Sequence, residues 1–107
     1  MLQPLPLSRL RLYIVTFDLN QPSPGDLRYR RVDGYLRTVG AVVRPCKQTR
    51  MVVTRSNAAG LRAGIRSIIG ARGDIAVFPV SRRSSMDIRD PGIRAAVRQA
   101  IARHGFP

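Results

Sequence analysis

The 107-residue chain has no glutamate and no tryptophan, and only one cysteine, one histidine and one lysine. Each scarcity removes a class of function. A lone Cys46 cannot build an internal disulfide framework, so a reducing cytoplasm is the simplest compartment, and a small buried hydrophobe is the ordinary role for such a thiol. A lone His104 excludes paired-histidine ribonuclease chemistry within one chain, and no Cys/His cluster exists to hold zinc. Gly70-Ala71-Arg72-Gly73 is not followed by the lysine a P-loop requires, and reads as a helix cap and turn. Long apolar runs are missing too. Met1 to Leu12 is broken by Pro4, Pro6, Arg9 and Arg11, which argues against a signal peptide or a membrane span.

What is present is charge of one sign. Lys plus Arg number 19, of which Lys47 is the one lysine, against 6 acids that are all aspartate, for a net charge of +13. Genome base composition can favour Arg over Lys, but it does not forbid carboxylates. A chain this basic repels itself, so a polyanionic partner is the natural reading: nucleic acid, DNA or RNA, in preference to a membrane surface. The bland alternative is a solvated rim on a basic protein. With 44% apolar residues, the chain has enough to bury for one globular domain and is too short for two ordinary ones.

The pattern along the chain predicts a β-α-β-β-α-β order. Leu10 to Asp18 is a β-branched and aromatic strand, with Tyr13, Val15 and Phe17 on one face and Leu10, Leu12, Ile14 and Thr16 on the other. After a turn over Leu19 to Pro24, Ser23-Pro24-Gly25-Asp26 reads as a helix start, with Ser23 as the cap. An apolar stripe follows at Val32, Tyr35, Leu36 and Val39, closed by Gly40 in a left-handed conformation. Ala41 to Cys46 and Arg50 to Arg55 form a hairpin, Pro45 marking its first strand as an edge or bulged one. Ser56 or Asn57 caps a second helix with its stripe at Leu61, Ile65, Ile68 and Ile69; Gly60 and Gly64 predict a close approach, most simply to the sheet. Asp74 to Ser81 is the fourth strand, Pro79 again implying an edge or a chain exit.

This order is that of the ferredoxin-like α+β fold, an antiparallel four-stranded sheet with both helices on one face. Residues 1–81 are read as that domain. Residues 82–107 are read as a basic linker and an extra amphipathic helix from Asp90-Pro91, with Ile93, Val97, Ala100 and Ile101 on one side and Arg94 and Arg98 on the other. One face of the sheet is then expected to stand open. Because the first strand is apolar on both sides, that face predicts contact with a second copy of the chain, a homodimer.

Two sets of residues carry candidate chemistry. Asp18 sits where the first strand ends. A carboxylate there suits Mg²⁺ or Mn²⁺, which use oxygen ligands and keep most of their waters, and such an ion serves phosphodiester cleavage. The alternative is an Asx-type cap closing the Leu19–Asn20 turn. The arginines speak for binding: Arg28, Arg30, Arg31 and Arg37 on the first helix, with Arg44, Lys47, Arg50 and Arg55 on the hairpin, offer phosphate contacts from adjacent elements. Arg62, Arg66 and Arg72 extend them, and the tail adds Arg82, Arg83 and Arg89. Base-reading groups are few, at three Tyr and three Phe. The aromatic strand signature of RNA-recognition domains is missing from Arg50 to Arg55, so recognition of backbone and shape is expected.

Val15-Thr16-Phe17-Asp18-Leu19, Tyr29-Arg30-Arg31-Val32-Asp33-Gly34-Tyr35-Leu36 and Gly73-Asp74-Ile75-Ala76-Val77-Phe78-Pro79-Val80 together resemble the Cas-two family of CRISPR adaptation and its VapD-like toxin relatives. Gln48-Thr49-Arg50-Met51-Val52-Val53-Thr54-Arg55 is closer to the stand-alone SinR-like branch. The resemblance spans Leu12 to Ser81. It implies a homodimer formed through the sheet face and the segment after the fourth strand, with Arg82 to Ile88 crossing to the partner. It also implies that Asp18 takes the position of a nuclease's metal ligand, although many members only bind DNA. Arg50-Met51-Val52-Val53 departs from the CRISPR pattern at the third strand, as do the proline-rich start and the basic final helix. Four functions follow as expectations: a Mg- or Mn-dependent endonuclease, a non-catalytic nucleic-acid-binding module, an adaptor whose last helix docks on a larger protein, and a VapD-like toxin ribonuclease.

Overall fold

Strand β1 (Arg11–Asp18) has something to bury on both sides, and the rest of the chain is arranged to cover it. In the computed structural model, which describes residues 10–19, 25–46 and 49–107, β1 is central in a sheet of order β2-β3-β1-β4. Strands β2 (Gly40–Cys46), β3 (Thr49–Thr54) and β4 (Asp74–Pro79) complete the sheet, and every pairing is antiparallel. Helices α1 (Leu27–Val39) and α2 (Ala58–Ile69) are the two crossovers, and α3 (Pro91–His104) follows β4. This is the ferredoxin-like βαββαβ architecture with an added C-terminal helix. No helix among the described residues is long and apolar enough to cross a membrane.

The first core lies between the sheet and the α1–α2 layer. Tyr13, Val15 and Phe17 of β1 and Val52 of β3 meet Val32 and Leu36 of α1 and Leu61, Ile65 and Ile69 of α2. Full burial of aliphatic side chains such as these stabilises by about 1.5–3 kcal/mol each. The helix stripes therefore face the sheet as their spacing predicted. Gly64 does not approach the sheet: a Cβ there would meet the Tyr35 ring of α1, so its bare backbone brings the two helices together, and Gly60 abuts Ser56. Asn57 caps α2 by accepting from the Gly60 N–H at 2.7 Å, as one of the two expected caps. The α1 cap is Asp26 and not Ser23, because the Asp26 carboxylate accepts from the Arg28 N–H at 2.9 Å; Ser23 and Pro24 lie outside the described residues.

The second face of the sheet is not open. Helix α3 returns across it, and Val97 and Ala100 join Leu12, Met51 and Val80 in a separate buried cluster, flanked by Ile14, Val43, Val53, Ile93 and Ile101. The apolar side of α3 thus meets in the same chain the demand that predicted a second copy there. Asp90 accepts from the Ile93 N–H at 2.9 Å and Pro91 opens the helix, so the start of α3 is encoded locally. The chain then ends against β4's continuation: Arg82 donates its backbone N–H to the Phe106 carbonyl at 2.8 Å, and Phe106 donates to Val80 at 2.8 Å. Phe106 reaches around to Tyr13, ring to ring at 5.6 Å and edge-on.

Both prolines fall where their missing N–H is tolerated, Pro45 in an irregular stretch of edge strand β2 and Pro79 at the end of edge strand β4. Gly40 ends α1 but is extended, with φ 178°, and not left-handed. Its role is steric: a Cβ would fall on the Val53 carbonyl, where β2 crosses closest to β3. Thr54, buried beside it, donates to the Val39 carbonyl at 2.7 Å and ties the end of α1 to β3. Gly40→Ala should therefore lower unfolding stability by about 1–3 kcal/mol, as overpacking against backbone does. Urea denaturation is the measurement; an unchanged midpoint would mean that β2 shifts freely.

Candidate nucleic-acid interface

Six aspartates against so many cations make the placement of each acid decisive. Two are consumed inside the helix layer. Asp26 caps α1 and pairs with Arg28 at 2.6 Å; the side-chain hydrogen bonds from Arg28 hold its carboxyl at about 2, below the usual 3.8. Asp33 of α1 pairs with Arg50 of β3 at 2.8 Å. Asp90 caps α3, and Asp87 is exposed in the segment before it. The other two, Asp18 and Asp74, stand directly opposite each other at the ends of β1 and β4.

Asp18 is exposed at the strand end, where its position in the chain places it. Its neighbour across the ladder was not singled out from sequence, because the β1–β4 register that aligns them is a tertiary pairing. Like charges directly opposite each other weaken a strand pair, and a cation between them would relieve the repulsion. Among the described residues no group of three His, Cys, Asp or Glu side chains assembles around any point. Asn20, the partner in the alternative turn-capping role, lies outside the described residues, as do Lys47 and the side chain of Cys46.

The eight predicted phosphate-binding residues separate into different roles. Arg30, Arg31 and Arg37 are exposed on the side of α1 opposite its buried Val32 and Leu36. Arg30 and Arg37 are two turns apart, about 10 Å along the axis. Arg62 is exposed on the neighbouring α2, and Arg66 beside it closes that helix by donating to the Gly70 and Gly73 carbonyls at 3.0 and 3.1 Å. Neither the outer face of α1 nor that of α2 carries an unpaired carboxylate, since Asp26 and Asp33 are both engaged. Arg28 is committed to Asp26. Arg44 and Arg55 are exposed on or beside the hairpin. They do not all converge: the β1–β3 and β1–β4 registers put Arg55 and the end of α1 at one end of the sheet, and Asp18 and the start of α1 at the other.

Arg50 corrects the sequence reading. It is 3% exposed on the helix-facing side of β3, opposite Val15, with its guanidinium against Asp33 and 5.5 Å from the centre of the Phe17 ring. It cannot reach a phosphate. Its position in an alternating strand puts it on the same face as Val52, so burial was legible from parity; its charge obscured that. Among the aromatic residues only Phe78 is mainly exposed, which keeps base-stacking surface small.

No family model, curated protein or solved structure matches the chain. The pairing at Arg50 predicts an asymmetric response. Asp33→Ala removes the carboxylate from a buried guanidinium and should cost about 3–5 kcal/mol, the penalty for breaking a buried pair from one side. Replacing both, Asp33→Ala with Arg50→Met, should recover much of that loss in chemical denaturation. Equal destabilisation by the single and double variants would contradict this account.

Proposed function

We propose that the chain is a Cas-two-like nucleic-acid-binding protein of the cytoplasm that holds the phosphate backbone against the outer face of its helix layer. One observation carries the reading: Arg30, Arg31 and Arg37 of α1 and Arg62 of α2 project from one layer whose own carboxylates are already paired with other arginines. Guanidinium groups in that state attract phosphates without first breaking internal ion pairs. The scarcity of exposed aromatics favours contact with backbone over bases. Homodimerisation belongs to the same reading. Since α3 covers the sheet, the second copy meets a different surface, for which the outer edge of β4 with its exposed Phe78 is suited.

Binding to labelled duplex DNA and to RNA at about 50 mM salt is the direct test, because release of condensed counterions makes contact strongest there. Each arginine that neutralises a phosphate adds about −0.9 to the slope of log K against log salt on duplex DNA, so Arg31→Gln and Arg37→Gln should each flatten it by about one unit. Arg28→Gln should leave the slope nearly unchanged. Absence of binding at low salt, or a slope indifferent to both Arg31→Gln and Arg37→Gln, would remove the proposal.

A second reading adds catalysis, and the Asp18–Asp74 pairing favours it. Two exposed carboxylates offer oxygen ligands suited to Mg²⁺ or Mn²⁺, a hard ion that would supply activated water and neutralise phosphate charge. Asp18 and Asp74 would hold it, and the helix-layer arginines would hold the strand. Cleavage of RNA and duplex DNA with either metal should then fall at least about 100-fold in Asp18→Ala at matched binding, in line with losing a group that acts only in the transition state. Cleavage unaffected by that change, or none in the parent protein, leaves the protein as a binding module.

A further inference from the structure

A second cationic site lies on the opposite face of the molecule from the helix layer. The segment after β4 and helix α3 enclose a cavity of about 290 Å³. Arg82, Arg94 and Arg98 line it together with the hydroxyl-bearing Ser84 and Ser85. Its apolar surface comes from Met86, Ile88, Val97 and Ile101. No carboxylate contributes; Asp87 and Asp90 belong to a neighbouring groove beside Pro45 and Thr49. Three arginines bordering one small space make it a place where an anion is favoured.

The walls are fixed at both ends. At one end the Arg82 backbone N–H is bound by the Phe106 carbonyl at 2.8 Å, and Ser81 and Ser84 close a turn at 3.0 Å. Gly105 lies against Arg82 so closely that a Cβ would sit 3.0 Å from its backbone nitrogen. At the other end the Arg94 guanidinium donates to the Ile88 carbonyl at 3.4 Å. The floor is anchored because Val97 is 1% exposed and packs with Leu12 and Met51 beneath. The backbone that carries the arginines is thus held in place before any ligand arrives, as is the Arg94 guanidinium, which lowers the ordering cost of binding one.

We propose that this cavity binds the phosphate monoester of a nucleotide. A monoester carries about −1.5 to −2 charges and three acceptor oxygens, the chemistry that several arginines and hydroxyls recognise together. A backbone diester carries one charge and must leave the site in two directions. The apolar floor gives the ester's organic part a surface, and the volume is near the lower end of the few hundred Å³ usual for ligand pockets, which limits the occupant to about one nucleotide. The same chemistry is available from a free nucleotide or from the 5′ end of a strand. Only the strand-end source rests on the nucleic-acid reading above.

The test uses the full chain with four probes: adenosine 5′-monophosphate, adenosine, and one single-stranded oligonucleotide with a 5′-phosphate or a 5′-hydroxyl. Calorimetry should show binding of the monophosphate and none of adenosine. If strand ends are the source, the 5′-phosphate should tighten oligonucleotide binding by about tenfold or more, the effect of a charged hydrogen-bonded group. Arg98→Gln, an exposed change at the cavity rim, should abolish the discrimination for the phosphate, whereas Arg31→Gln on α1 should weaken both oligonucleotides equally and preserve it. Monophosphate binding without an end preference establishes the pocket with free nucleotide as its ligand. The proposal is overturned if neither probe pair is distinguished by its phosphate, or if the distinction survives both Arg98→Gln and Arg94→Gln. General oligonucleotide binding that persists in that event leaves the helix-layer proposal standing, so the two fail separately.

Discussion

The structure depends on a single constraint: the central strand β1 is apolar on both faces, and neither face tolerates water. Tyr13, Val15 and Phe17 need one cover, and Leu12 and Ile14 need another. The two crossover helices of the βαββαβ unit supply the first, packing together on one face of the sheet. They cannot supply the second, because both lie on the same side. Helix α3 does so, packing Val97 and Ala100 over Leu12 and Met51. The added helix is therefore part of the hydrophobic structure of the sheet, and the ferredoxin-like unit becomes three layers.

The same arrangement divides the charge. Within the helix layer, the cation that faces inward has a carboxylate: Asp33 meets Arg50 beneath α1, while Asp26 both caps the helix and holds Arg28 at its start. The remaining arginines of α1 and α2 face solvent without such neighbours. On the other face, α3 brings Arg94 and Arg98 toward Arg82 across a small cavity. One chain thus presents two basic surfaces, the exposed arginines of the helix layer and a cleft beside α3. Asp18 and Asp74 mark a third place, an acidic point at one end of the sheet.

Much of the fold was legible from pattern alone. Element order, the two apolar stripes, the caps Asn57 and Asp90, and the edge positions of Pro45 and Pro79 all follow from local chemistry. The departures from pattern share a cause. Residue type favours Ser23 as the α1 cap, but Asp26 holds that position. Glycines commonly end helices in a left-handed conformation, yet the constraint on Gly40 comes from Val53 on another strand. Gly64 predicts close approach to the sheet, but its neighbour is Tyr35. Arg50 has the charge of a surface phosphate contact, but the ion pair with Asp33, seventeen positions earlier, helps hold it buried. Each depends on a partner far along the chain.

The sequence by itself determined the period of each element, the two-sided demand of β1 and the excess of positive charge, since all three are properties of neighbouring residues or of simple sums. Tertiary structure decided what met those demands. Whether the second sheet face would be covered by another copy or by α3 depended on the path of the chain after β4, which no local propensity specifies. Which arginines reach solvent and which are neutralised depended on strand register and on the crossing of α1 over β3. So did the meeting of Asp18 with Asp74 and of Arg82 with α3, because long-range pairing alone brings charges from distant segments within range of one another.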